Sequence, residues 1–282
     1  MEIARTIEAV KALVNRARRE GKTIGFVPTM GALHKGHISL IKAALDRTDF
    51  VVVSIFVNPA QFGPGEDFES YPRNLNADLG ICEKAGVDVV FAPSVNQIYP
   101  RQNLTWVNVE KLSEPLCGRA RPGFFRGVAT VCTKLFNIVQ PDVAFFGQKD
   151  GQQAIVIKRM VQDLNMPLEI VVCPTVRETS GLAASSRNKY LNDDEKKDAT
   201  LLYAALQDCR RMIDRHVRDS RTLKAEMQKV LSRSPAINVE YISIVDAQSL
   251  EELEHVKGKV MVAIAAQLGP ARLIDNILVD VS

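Results

Sequence analysis

Residues 28–40 read PTMGALHKGHISL. Upstream of them, Thr23–Val27 is a short apolar run closed by Pro28, which predicts a strand. Downstream, Ile38–Asp46 reads as a helix. The quoted stretch is therefore a strand–loop–helix junction. In an open α/β sheet such a junction lies beyond the carboxyl end of a strand, where ligands bind. The helix start offers free N–H groups and the positive end of its dipole, which suit phosphate. Gly31 and Gly36 let backbone approach a ligand closely. His34 and His37 can present two imidazole donors. The glycine pattern of a dinucleotide turn and the Walker A loop are both absent. Local capping by the two histidines is one alternative. A zinc site is another, although H-E-x-x-H is missing and no third ligand is evident.

The same grammar repeats on either side. Ile7, Val10, Leu13, Val14 and Ala17 recur at helical spacing, and Gly21 follows as a stop. Val51–Val57 is an apolar run, interrupted only by Ser54, of the kind buried on both faces of a parallel sheet. Helices are expected at Leu75–Ala85, Ala129–Val139 and Gln152–Leu164, and strands at Val87–Ala92, Val143–Phe146 and Leu168–Cys173. This alternation predicts an α/β fold, a Rossmann-like parallel sheet with helices on both faces. Near Val176 the pattern changes. Helices at Asp193–Val217 and Leu223–Leu231 precede strands at Asn238–Val245, Val260–Ala266 and Ala271–Leu278. A smaller α+β C-terminal domain is expected, with residues 1–176 as the first domain and 177–282 as the second.

Composition narrows the function classes. Of the 282 residues, 46% are hydrophobic and 24% charged, ordinary globular usage that rules out a disordered or fibrous chain. A net charge of +3 does not suggest a nucleic-acid coat or a polybasic membrane binder. No apolar run is long enough to span a bilayer. The N-terminus reads as a helix, not a signal peptide. The five cysteines, Cys82, Cys117, Cys132, Cys173 and Cys209, lack paired spacing. Free, core-packed thiols in a reducing compartment are expected, which fits a cytoplasmic protein.

Three further segments carry chemistry. Phe145–Gln153, FFGQKDGQQ, follows a predicted strand, so Lys149 and Asp150 should also sit at the sheet's carboxyl edge. Ala183–Arg187, AASSR, offers two hydroxyls and a guanidinium for phosphate at the domain boundary, or is a solvated linker. Asn58–Phe62, NPAQF, places Gln61 in a turn after a strand.

The His34-Lys35-Gly36-His37 signature resembles the H-x-G-H nucleotidylyltransferase superfamily. PTMGALHKGH, VVVSIFVNPAQF, YPRNLNADL, KLFNIVQPDVAFFGQKDGQQ, GLAASSRNKYL and ARLIDN, in this order, are similar to the pantothenate synthetase (pantoate–β-alanine ligase) family in particular. The resemblance implies condensation of (R)-pantoate with β-alanine by way of a pantoyl adenylate, releasing AMP and pyrophosphate. Its implied substrates are ATP, pantoate and β-alanine, with Mg²⁺, and its implied assembly is a homodimer.

The resemblance also implies site residues. ATP would be held by Met30, Gly31, Ala32, Leu33, His34, Lys35, Gly36 and His37. Further ATP contacts would come from Gly147, Gln148, Lys149 and Asp150, from Val176, and from Ala184, Ser185, Ser186 and Arg187 on a mobile loop. Gln61 and Gln153 would contact pantoate, with Gln61 beside the β-alanine site. His34, His37 and Lys149 would stabilise charge on the reacting phosphate. Asp78 would lie near Mg²⁺, or be a charge on a helix face. Four positions depart from the family pattern: Cys117 for Glu, Phe124 for His, Gln148 for Glu and Gly151 for an aromatic residue. They put the site's rim in question and leave the reaction class intact. Another nucleotidylyltransferase and a non-catalytic nucleotide-binding module are the rival readings.

Overall fold

The computed structural model describes residues 1–281. The chain runs β1 (Glu2–Ala4), α1 (Ile7–Arg19), β2 (Ile24–Thr29), α2 (Lys35–Leu45), β3 (Phe50–Ile55), α3 (Leu75–Ala85) and β4 (Val89–Phe91). Two short helices follow, α4 (Val95–Ile98) and α5 (Cys117–Ala120), then α6 (Phe124–Val139), β5 (Val143–Gly147), α7 (Gly151–Asp163) and β6 (Glu169–Cys173). The C-terminal part holds α8 (Asp193–Asp214), α9 (Ser220–Leu231), β7 (Ile237–Asp246), β8 (Gly258–Leu268) and β9 (Ala271–Val281).

The first six strands form one parallel sheet in the order β1-β4-β3-β2-β5-β6. From β2 the chain builds outward through β3 and β4; from β5 it builds the other way, to β6. The order reverses between β2 and β5, which opens a crevice at their carboxyl ends. Both strands are apolar because both sheet faces are covered. α1, α6 and α7 share one core with Phe26 and Phe146, and α2 and α3 share another with Val27, Val53 and Phe145. Each fully buried Phe, such as Phe26, Phe91 and Phe145, contributes roughly 1.5–3 kcal/mol.

β7, β8 and β9 form a separate antiparallel sheet. Its sides alternate with period two. Val260, Val262 and Ile264 pack under α8 and α9, whereas Met261 and Ala263 join the core of the first sheet. The small sheet is thereby fixed against the large one. A register shift between Val239 and Tyr241 interrupts β7.

Three expectations need correction. The N-terminus, expected to be helical, opens with β1, a strand of three residues too short to show alternation, before α1 begins. α2 begins at Lys35, so the second histidine lies in its first turn and not in the loop. α6 begins at Phe124, five residues before the expected start, behind Gly123 in the left-handed region (φ 83°). All five cysteines are free and buried.

Candidate active site

The loop after β2 makes two left-handed steps, Gly31 (φ 81°) and Ala32 (φ 50°). Asp78, in the first turn of α3 and 3% exposed, holds them. One carboxylate oxygen accepts from the Ala32 N–H at 2.9 Å and the other from the Leu33 N–H at 2.8 Å. A Cβ on Gly31 would meet Asp78 Oδ2 at 2.8 Å, so only glycine fits there. This loop delivers His34 to the N-cap of α2. His34 Nδ1 accepts from the Gly36 N–H at 3.1 Å, and His37 Nδ1 accepts from the His34 N–H at 3.3 Å. A backbone N–H can only donate, so both Nδ1 atoms are unprotonated and each neutral ring carries its proton on Nε2. Burial drives both pKa values down, His34 to about 4 and His37 to about 3. Lys149 adds to both shifts, and His34 adds to that of His37. At neutral pH the pair therefore offers two uncharged Nε2–H donors.

Across the β2/β5 crevice, Gly147 ends β5 and Gln148–Asp150 makes a single tight turn into α7. Lys149 rises from that turn with its Nζ 3.4 Å from Asp150 Oδ1, a weak pairing. The N-terminal ends of α2 and α7 thus face one cleft of about 710 Å³, together with His34, His37 and Lys149.

Gln61 closes the inner end. It sits in the short turn Pro59–Gln61, 8% exposed, with Oε1 accepting from Asn58 Nδ2 at 3.1 Å and Nε2 lying 2.9 Å from Met30 Sδ. α6 lies directly on this turn: a Cβ on Gly127 would come within 2.1 Å of the Ala60 carbonyl oxygen. Asn58 Nδ2 also donates to the Gly127 carbonyl at 3.2 Å, and Tyr99 donates to Asn58 Oδ1 at 3.0 Å. Arg121 donates to Glu66 through Nε at 2.7 Å and to the Gln61 carbonyl at 3.1 Å. Gln153, on α7, also lines the cleft.

The outer wall is the segment 174–190. Ala184 donates to the Val176 carbonyl at 2.9 Å, which brings the two into register. Ser185 Oγ accepts from the Arg187 N–H at 3.3 Å, and Arg187 Nη2 reaches Asp67 Oδ1 at 3.0 Å, joining two loops over the cleft. Thr175 Oγ1 is buried on this wall with no hydrogen-bond partner, an orphan that a bound polar molecule would satisfy.

With that geometry in view, relatives decide the family. The family profile described as pantoate-beta-alanine ligase matches residues 2–278. The chain belongs to the pantoate-beta-alanine ligase family. It is 52% identical to a pantothenate synthetase from Moorella thermoacetica over the whole of both chains. It is 53% identical to one from Thermotoga petrophila, covering 98% of this chain and 99% of that one. A crystal structure of pantothenate synthetase from Thermus thermophilus superposes with a TM-score of 0.94 at 42% identity, covering 98% of this chain and 99% of that one. A pantoate-beta-alanine ligase from Francisella tularensis, crystallised with beta-gamma ATP and beta-alanine, gives 0.81 at 37% identity, covering 99% and 97%.

Not every residue expected from the ligase resemblance reaches the cleft. Met30, His34, Gly36, His37, Gly147, Lys149, Asp150, Gln61, Gln153, Val176, Ala184, Ser185, Ser186 and Arg187 line it. Gly31, Ala32, Leu33, Lys35 and Gln148 do not. The first three are buried, and Lys35 points to solvent. Asp78 is neither a solvated helix charge nor part of the cleft wall, because its two oxygens are turned into the loop behind the histidines. Asp150 leaves the start of α7 without a side-chain cap. The sequence reading missed Asn58, Glu66, Asp67, Arg121, Tyr241 and Arg272, all of which line the cleft. Asn58 and Arg272 stand inside NPAQF and ARLIDN, and Glu66 and Asp67 follow the first closely, whereas Arg121 and Tyr241 carry no such local signal.

The departures have packing accounts. Phe124 lies under the Arg121 guanidinium, 3.8 Å from ring centroid to Cζ, and edge-on to Phe125. Cys117 Sγ lies 3.1 Å from the Tyr241 hydroxyl and 3.7 Å from the Arg272 guanidinium. Arg272 keeps its own carboxylate partner, Glu240, at 2.8 Å.

Proposed function

We propose that this chain is an AMP-forming ligase that joins pantoate to β-alanine, with MgATP as co-substrate. The observation that carries the reading is the pair of neutral histidines, Nδ1 occupied and Nε2–H free, facing Lys149 across the β2/β5 crevice in a family member. A pantoate carboxylate oxygen attacks the α-phosphorus, and the bond from that phosphorus to the bridging oxygen of pyrophosphate breaks. The β-alanine nitrogen then attacks the acyl carbonyl of the adenylate. AMP leaves, and the nitrogen gives up its proton to form the amide.

His34 and His37 are assigned to the phosphate oxygens, where two fixed donors gain strength as negative charge grows. Neutral imidazoles suit this task, because they donate without first losing solvent from a cation. Lys149 supplies the full positive charge. Gln61 and Gln153 are assigned to pantoate, whose hydroxyls and carboxylate need both donors and acceptors. Val176 and the orphaned Thr175 hydroxyl are assigned to the nucleotide base. The Ser185–Arg187 segment, tied to Asp67, covers the phosphates and keeps water from the labile adenylate.

Mg²⁺ enters as part of MgATP. Among the described residues no three His, Cys, Asp or Glu side chains gather into a metal cage, and Asp78 spends both oxygens on backbone N–H groups. Carried in on the ATP phosphates, the ion would draw charge from the reacting centre. Residues 1–176 act as the binding domain and 177–282 as the cover. The buried free thiols support a reducing compartment such as the cytoplasm, and the resemblance supports a homodimer. The test is product analysis: pantothenate, AMP and pyrophosphate should form in equal amounts, only when pantoate, β-alanine and MgATP are all present. ADP in place of AMP would refute the reading.

A further inference from the structure

We propose that Asn276, on the small C-terminal sheet, is a positioning residue that fixes the Lys149 turn in the geometry required for adenylate formation. The proposal rests on the reading of Lys149 above. Asn276 lies on β9, 6% exposed, well over a hundred residues from the turn it holds. Its Nδ2 donates to the carbonyl oxygens of Gln148 and of Lys149 itself, each at 2.9 Å. Two carbonyl oxygens can only accept, so the amide's NH₂ end must face them and its oxygen must face away. That oxygen accepts from Gln148 Nε2 at 2.7 Å. Both Nδ2 hydrogens and the oxygen are thus engaged with one three-residue turn.

Asn276 is itself held. Its backbone N–H donates to Asp275 Oδ1 at 2.8 Å. Asp275, 4% exposed, is gripped at both oxygens by Arg177, at 2.6 and 2.9 Å. The Arg177 guanidinium lies over the Tyr203 ring at 3.7 Å. A paired, buried carboxylate of this kind holds its place firmly, because breaking the pair would strand a charge. The clamp therefore runs from α8 through Arg177 and β9 to the main chain that carries Lys149.

Two of the four departures from the family pattern fall on this clamp. Gln148 stands where Glu is usual; as an amide it can donate to Asn276 Oδ1, which an ionised carboxylate cannot do. Gly151 stands where an aromatic residue is usual. A Cβ there would lie 2.9 Å from Gln148 Nε2 and 3.1 Å from both Nδ2 and Oδ1 of Asn276. The missing side chain is the space that the Gln148–Asn276 pair occupies. Gln148, Gly151 and Asn276 are thus one device, and its product is the placement of Lys149. A displaced charge near the α-phosphorus costs rate in the first half-reaction. The second half-reaction, amine attack on a carbonyl, makes less use of it.

The experiment compares Asn276→Ala, Lys149→Ala and the double variant in both half-reactions. The first is pantoate-dependent exchange of labelled pyrophosphate into ATP. The second is aminolysis of supplied pantoyl adenylate by β-alanine. Asn276→Ala should lower the exchange kcat on the order of 10²-fold, with aminolysis changed by less than about threefold. It should add nothing in the Lys149→Ala background, since the group it positions is gone. Asn276→Asp keeps the shape and removes both donors, so it should match Asn276→Ala even where the alanine variant folds poorly. Gly151→Ala should give the same signature, and none in the Asn276→Ala background. Equal losses in both half-reactions, or losses that multiply with Lys149→Ala, would overturn the proposal and leave Asn276 as interdomain packing. Lys149→Ala with full exchange would instead refute the reading of Lys149, and the clamp's purpose with it.

Discussion

His37 Nδ1 accepts the backbone N–H of His34, which caps the helix that carries His37. The two rings are 4.1 Å apart at their centroids. One reciprocal contact thus serves two ends. It closes the start of α2 and, with the Gly36 N–H on His34 Nδ1, leaves Nε2 as the unoccupied nitrogen of each ring. The sequence presents capping and phosphate binding as alternatives, but capping occupies only the Nδ1 edge of each imidazole and leaves the Nε2–H edge for the phosphate contacts proposed above.

A pH effect on stability follows. In the unfolded chain both histidines titrate near 6.5, whereas in the fold they titrate near 4 and 3. Between those values the unfolded chain binds more protons, so stability falls as pH falls from about 6.5 towards 4. Above 6.5 both states hold neutral rings and the effect vanishes. Thermal unfolding of the wild type and of His34→Asn/His37→Asn should therefore converge in slope above pH 7. Below it the wild type should lose stability more steeply. Parallel curves throughout would mean that the rings are not held neutral.

His37→Ala should lower kcat on the order of 10²–10³-fold, with KM for ATP changed far less, because the donor counts most when phosphate charge is greatest. The cap lost with it costs about 1 kcal/mol, which the fold should survive. Near-native turnover in a variant that melts much earlier would assign His37 to capping alone.

Asp78→Ala strands the N–H groups of Ala32 and Leu33 in a buried place, at about 1–3 kcal/mol. The variant should lose stability and turnover together. The Mg²⁺ concentration for half-maximal activity should stay where it is in the wild type. A strong shift in that Mg²⁺ dependence, with stability intact, would make Asp78 a metal ligand after all.

How far the sequence alone reaches can be read from these residues. The β2–α2 junction was legible because its signals are local: an apolar run, two glycines and two histidines within a dozen positions. The edge strand β1 was not, since three residues carry no measurable period. Asp78 looked like a helix charge because nothing in YPRNLNADL says which side of α3 meets the loop. Asn276 was visible only as part of ARLIDN, and its partners at 148 and 149 come from the other sheet. Arg121 was hidden in the same way: its contacts to Glu66 and Gln61 exist only once α6 lies on the Pro59–Gln61 turn.

Cys117→Glu and Phe124→His, singly or together, should change kcat/KM by less than about tenfold, or roughly 1.4 kcal/mol. Arg272 already holds Glu240, and Phe124 stacks with Arg121, so neither position lacks a partner that the family's usual residue would restore. A gain of several decades on restoring both would mark this chain as an impaired member of the family.

The adenylate is the centre of the account, and isotope exchange tests it without the second substrate. With MgATP, pantoate and labelled pyrophosphate present and β-alanine absent, label should appear in ATP at a rate comparable to overall turnover. It should vanish when pantoate is withheld. Exchange that ignores pantoate, or no exchange from an enzyme that still makes pantothenate, would contradict attack at the α-phosphorus through a reversible pantoyl adenylate.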